Sequence, residues 1–336
     1  MLERDRKLPA RESTHAARIR IQNVTANAQK YPYDSLTNHE VSRKAGASVP
    51  SGLTTCYCLV QTPSHIAGVT HLRRRAGALQ ANATQKAAMV NSTSDDETVA
   101  RASQQTRKPL GILMLDTRFP RIHGDLGNAA TWNFDVLYNV VRGARASNVV
   151  SPNNIADIEP FINSALELES CGVAGITTSC GFLSLTQRRI SERLSVPFAA
   201  SSLLQIPVLE TLIGPAKRVG ILTIDSRALT ARHLAAAHVA LDTPIGGTEN
   251  GEVFTRGILS DSPTLDVDAC RRDNVQAAVE LVDRHPQVGA IVLECTNMVP
   301  YAGAIRVATG RPVYSVYTFI NWFYSGLHPD EFGQAQ

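Results

Sequence analysis

From residue 110 onward the chain repeats itself, and that repeat constrains the fold more than any other feature. Residues 111–118 read GILMLDTR and residues 220–227 read GILTIDSR. Downstream of each copy stands a second matched pair, VAGITTSC at 173–180 and VGAIVLEC at 288–295, each ending in a cysteine. A third pair, Pro197 and Pro312, opens the apolar runs PFAAS and PVYSV. Three matches in the same order, at nearly constant separation, define two copies of one fold unit. Within each copy, short β-branched apolar runs alternate with amphipathic segments, the pattern of βα units on a parallel sheet. The expected class is therefore α/β, with two pseudosymmetric parallel-sheet domains.

Strands are expected at 110–116, 173–178, 197–201, 218–224, 288–294 and 312–316, with a further one within 131–142. Pro160 suits the first turn of a helix that Gly172 closes. Further helices are expected at 182–194, 203–213, 227–240, 268–284, 301–309 and 318–326, while Gly246-Gly247 followed by Gly251 reads as a flexible turn. The chain is expected to enter its second domain near 209 and return near 305. The first domain is then 109–208 plus 306–336, the second 209–305, and two crossings form a hinge that closes on a ligand.

Residues 1–108 have a different character. They lack a sustained period of 2 or 3.6, are rich in Ser, Thr, Asn, Gln, Ala and Arg, and read as a disordered extension, with Met89 as an alternative start. The segment holds twice as many Lys and Arg as Asp and Glu, whereas the remainder is acidic, so the net charge of +3 hides an asymmetry. The Arg73-Arg74-Arg75 run reads as a solvated charge cluster, and nucleic acid is not an expected partner. Cys56 and Cys58 have no second pair at zinc-binding spacing. Six cysteines in 336 residues are too few for a disulfide scaffold, and no stretch is apolar enough to span a membrane, so a cytoplasmic setting is expected. A homodimer is the default on base rates.

In open parallel sheets, ligands gather at the carboxyl ends of the strands. Asp116, Cys180, Asp225 and Cys295 all stand there, and a pseudo-dyad relating the two halves brings Cys180 and Cys295 to one cleft. Each cysteine lies where a strand hands over to a helix, and helix N-terminal amides are expected to lower a thiol pKa. Two thiols flanking a substrate carbon can act as base and acid, inverting that carbon without a cofactor. Hydroxyls and amides must then meet the charge that develops, and Thr177, Thr178, Ser179, Thr296 and Asn297 are suitable donors. Cys171 and Cys270 have no repeat partner and read as buried apolar residues.

Other chemistries lack their residues. From Leu110 onward the only lysine is Lys217, at the opposite edge of its strand, which argues against a pyridoxal Schiff base. The histidines show no metal-ligand spacing, and neither a phosphate-binding glycine loop nor a serine-hydrolase elbow is present. No metal and no cofactor are expected. In the long loop 117–132, Arg118 or Arg121 is a candidate carboxylate ligand and His123 a candidate supplementary acid or base.

These residues resemble the aspartate/glutamate/hydantoin racemase superfamily over about residues 110–330. LECTNMVPY at 293–301 is similar to the family's Cys-Thr motif, and TTSCGFLS carries the first cysteine. The resemblance implies catalytic Cys180 and Cys295, and substrate contacts from Asp116, Thr117, Ser179, Gly181, Thr296 and Asn297. Gly181-Phe182 and Asn297 depart from the Asn-Thr and His of the amino-acid racemases, which weighs against glutamate and aspartate as substrates. The expected activity is cofactor-independent racemisation or epimerisation of a small carboxylate, amino acid or hydantoin. The second reading is a decarboxylase or cis–trans isomerase using one cysteine, and the third is a non-catalytic small-molecule sensor.

Overall fold

The computed structural model describes residues 59–61, 107–151 and 157–330. Most of the expected N-terminal extension, including Met89, Cys56, Cys58 and the Arg73-Arg75 run, lies outside the described residues. Within them, the repeat folds into two sheets. The first has strand order β1-β3-β2-β4-β5, formed by β1 (Leu59–Gln61), β2 (Leu110–Leu115), β3 (Val136–Val141), β4 (Gly175–Thr178) and β5 (Phe198–Ala199). All its pairings are parallel except β1 on β3, where Leu59 faces Tyr138. The second sheet is wholly parallel, with order β7-β6-β8-β9 from β6 (Arg218–Thr223), β7 (Ile245–Gly247), β8 (Val288–Leu293) and β9 (Val313–Tyr314).

The repeated Gly-Ile-Leu runs are the central strands β2 and β6. All six residues of β2 are buried, as expected of a parallel strand covered on both faces. Helix α2 (Glu159–Ser170) and the long α7 (Val267–Arg284) lie across these strands. They explain why each repeat opens with glycine. A Cβ on Gly111 would stand 3.2 Å from Leu168, and one on Gly220 would stand 3.1 Å from Leu281. Helix α2 begins with Pro160 in its first turn and is followed by Gly172 at φ +82°, while Asp266 caps α7 by accepting from the amides of Asp268 and Ala269.

The repeat extends to single hydrogen bonds. Ile176 N–H donates to the Pro197 carbonyl and Ile291 N–H to that of Pro312, both at 2.9 Å. Ser179 N–H donates to Leu113 and Glu294 N–H to Leu222, both at 2.8 Å.

The paired prolines also correct the expected domain boundary near 305. The strand after Pro312 pairs with β8 and belongs to the second sheet, so the chain leaves that sheet only at about residue 315. Helix α9 (Val316–Leu327) then packs Val316, Phe319, Ile320 and Tyr324 onto Leu110 and Ile112 of the first sheet. The first crossing mirrors it. Helix α4 (Ile206–Leu212) follows β5 but docks on the second sheet, where Glu210 accepts from Val219 N–H at 2.9 Å. Each half thus lends one helix to the other, and a common apolar core includes residues of both sheets.

The expected turn at Gly246-Gly247 is instead strand β7. Its glycines admit close neighbours: a Cβ on Gly246 would lie 3.0 Å from Leu281, and one on Gly247 would lie 2.7 Å from the Ser226 amide. No helix among the described residues is long and apolar enough to cross a membrane.

Candidate active site

Cys180 follows β4 and Cys295 follows β8, each starting a 3-10 helix, Gly181–Thr186 and Thr296–Tyr301. Equivalent strands of two sheets related by the repeat thus deliver equivalent cysteines. Both are buried, and both line one pocket with Leu115, Phe119, Arg121, Ile224 and Glu294. Ser179, Gly181, Thr296 and Asn297 line the same pocket, so six of the eight residues expected at the site meet there.

Two do not. Asp116 is exposed, and its carboxylate accepts from the Gly143 amide at 3.0 Å, closing the turn after β3. Thr117 does not line the pocket, and its hydroxyl accepts from an Arg121 N–H at 2.7 Å. Asp225, the counterpart of Asp116, pairs with Arg227.

The polar side chains in the pocket wall are largely engaged in holding it. Ser179 Oγ accepts from Leu115 N–H at 2.9 Å, bridging β4 to β2. Thr296 Oγ1 donates to the Ser179 carbonyl at 2.7 Å, so the second cysteine motif is tied directly to the first. Thr177 and Thr178 turn out to be backbone ties, donating to Ala199 and Ala200 rather than facing a ligand.

The loop 117–132 closes over this junction. Arg121 pairs with Asp125 at 3.2 Å, and Asp125 accepts from Asn297 Nδ2 at 2.7 Å. Arg118 turns away from the pocket and pairs with Asp261. His123 is also remote, bonded to the Ala130 carbonyl at 3.2 Å. Of the loop residues singled out in the sequence, only Arg121 reaches the pocket.

The electrostatics differ from the sequence expectation of thiols made acidic by helix amides. Burial pushes the Cys180 thiol up to about 12, and the neighbouring Glu294 carboxyl adds to the rise. The amides of Phe182 and Leu183 and the Arg121 charge act in the expected direction but are outweighed. Cys295 is also raised well above the ordinary thiol range, by burial and then by Glu294, against a hydrogen bond from the Asn297 amide. Its thiol lies 3.7 Å from Asn297 Oδ1, a long S–H contact. Removing both groups from water costs more than the local dipoles return.

Sequence reasoning missed Glu294, the residue before Cys295. It is fully buried, its Oε2 accepts from Thr223 Oγ1 at 2.7 Å, and its Oε1 has no hydrogen-bond partner. The signal was present as a charged residue inside a strand end that is otherwise apolar.

The chain is similar to the dimethylsulfoniopropionate lyase of Durusdinium sp. clade D, at 28% identity over 226 residues, 65% of this chain and 74% of that protein. It is 29% identical over 229 residues to dimethylsulfoniopropionate lyase 6 of Emiliania huxleyi (strain CCMP1516), covering 65% of this chain but only 59% of that one. No family model matches. Solved structures with a similar course include unliganded arylmalonate decarboxylase, at 15% identity, 68% of this chain, 94% of that chain and a TM-score of 0.43. The allantoin racemase of Klebsiella pneumoniae is 14% identical, with 68% and 96% covered and a TM-score of 0.45. The curated relatives correct the expected reaction class: they are lyases, so the expectation of an isomerase acting as a racemase or epimerase is overturned, and of the second reading, a decarboxylase or cis–trans isomerase using one cysteine, the lyase side is the better supported.

Proposed function

We propose that this chain is a cofactor-independent lyase in which a thiolate of the Cys180/Cys295 pair removes a proton next to a carboxylate and expels a leaving group from the adjacent carbon. The curated relatives point to dimethylsulfoniopropionate as the substrate. It carries a sulfonium at one end and a carboxylate at the other, two carbons apart. The thiolate takes the proton from the carbon beside the carboxylate. That electron pair forms the carbon–carbon double bond, and the carbon–sulfur bond breaks with its pair going to sulfur. The products are acrylate and dimethyl sulfide, with the proton left on the cysteine and then passed to water.

The observation that carries this reading is the convergence of two buried thiols, from equivalent strand ends, on one pocket with a largely apolar wall. Elimination requires one base, and dimethyl sulfide departs neutral without a proton from the protein. Leu115, Phe119, Ile224 and Ile258 in the pocket wall suit the S-methyl groups. Asn297 and the backbone beside Gly181 are the substrate-facing candidates retained from the sequence.

The test is incubation of the purified protein with dimethylsulfoniopropionate. Equimolar acrylate and dimethyl sulfide are expected. Carbon dioxide release without acrylate favours a decarboxylase, and no turnover of this substrate refutes the assignment.

A further inference from the structure

Glu294 lies at the centre of the site. It precedes Cys295 directly, and across the junction its Oε1 abuts Gly181, which follows Cys180: a Cβ on Gly181 would sit 2.3 Å from that oxygen. Thr223 pins the other carboxyl oxygen from β6, which fixes the carboxyl plane. A buried, oriented carboxyl oxygen without a partner, in a residue lining the pocket that both cysteines line, calls for an explanation.

We propose that Glu294 receives the substrate's carboxylate, its Oε1–H donating a hydrogen bond as a neutral carboxylic acid and strengthening that bond as negative charge builds on the carboxylate oxygens during proton abstraction. This rests on the lyase reading only for the identity of the substrate.

The obvious competitor for that role is Arg121, but its guanidinium is committed to Asp125, to Thr117 and to the face of Phe119 at 4.2 Å. The charged or titratable groups facing Glu294 are the thiols of Cys180 and Cys295, with the Arg121–Asp125 pair beyond them. None compensates a Glu294 carboxylate directly, and burial pushes its pKa up to about 8 despite the Thr223 hydrogen bond. At neutral pH the group is therefore mainly the protonated acid, a donor where an ionised glutamate would repel an anion. Above pH 8 ionisation removes the donor, repels the substrate's carboxylate and holds both thiols neutral. A carboxylic acid kept neutral by its surroundings stabilises an oxyanion in the same way in other enzymes.

The experiment is calorimetric titration of the full chain with acrylate between pH 6.5 and 9.5, for the wild type, Glu294→Gln and Glu294→Leu. Wild-type affinity should fall about tenfold for each pH unit above 8, with proton uptake on binding seen as a heat that depends on the buffer. Glu294→Gln keeps an N–H donor and should bind acrylate without that pH dependence. Glu294→Leu should lose acrylate binding at pH 7, and on the lyase reading its kcat/KM for dimethylsulfoniopropionate should drop by about 10²-fold or more. Parallel pH dependence in wild type and Glu294→Gln overturns the proposal, even if Glu294→Leu fails to fold. So does an absence of acrylate binding by the wild type at pH 7. The expected acrylate signature without turnover removes the lyase reading and leaves the carboxylate site standing, whereas turnover without the signature does the reverse.

Discussion

Replacing Gly181 with alanine places a Cβ 2.3 Å from both the carbonyl oxygen and Oε1 of Glu294. One of those atoms is backbone at the end of β8 and cannot swing away. Carbon and oxygen pack at a little over 3 Å, so the two cysteine motifs must separate by about 1 Å. Overpacking of this kind costs about 1–3 kcal/mol. At about 2–4 °C per kcal/mol for a body of this size, the melting temperature should fall by about 2–12 °C. The activity loss should be the larger effect. The displacement acts on the residue next to Cys180 and on the residue before Cys295, and a misplacement of about 1 Å in a reacting group costs about 10²-fold in rate. Thermal unfolding by circular dichroism and acrylate release measured on the same sample separate the two effects. A Gly181→Ala protein that melts like the wild type and releases acrylate at the wild-type rate would refute the packing of these motifs.

The raised thiols imply that kcat/KM rises with pH from 6 upward, because only the thiolate is a base. The rise should break near pH 8, where Glu294 ionises, and Glu294→Gln should remove that break; a pH–rate profile reads both. Arg121→Met leaves the buried Asp125 carboxylate without its cation, at a cost of about 3–5 kcal/mol seen in denaturant unfolding. Asp266→Ala removes the cap of α7, outside the pocket lining, and should cost about 1 kcal/mol with kcat/KM unchanged.

The self-similarity of the chain makes both sheets and the convergence of the cysteines legible in the sequence alone. That works because the repeated glycines, cysteines and prolines each answer a physical demand that recurs in both halves: helix-on-strand approach, strand-end placement and a carbonyl acceptor for the neighbouring strand. The less legible features depend on tertiary context. Strand β7 hides behind two glycines that look like a turn and are there for close packing. The exchange of α4 and α9 depends on which sheet each helix meets, which local pattern does not encode. Asp116 looked like a ligand by position, but the nearby Gly143 amide occupies its carboxylate. Thiol acidity was misjudged because proximity to amides is visible in sequence and burial is not. Glu294 reads as an ordinary charged residue until its surroundings exclude both water and a counter-ion.

Dimethyl sulfide release by the double variant Cys180→Ala/Cys295→Ala, set beside the wild type at pH 8 and confirmed as folded by its melting curve, tests most directly whether the thiols perform the chemistry. A loss of about 10³-fold or more is expected once the base is gone. A folded double variant that still released dimethyl sulfide at a rate near wild type would contradict the thiolate mechanism.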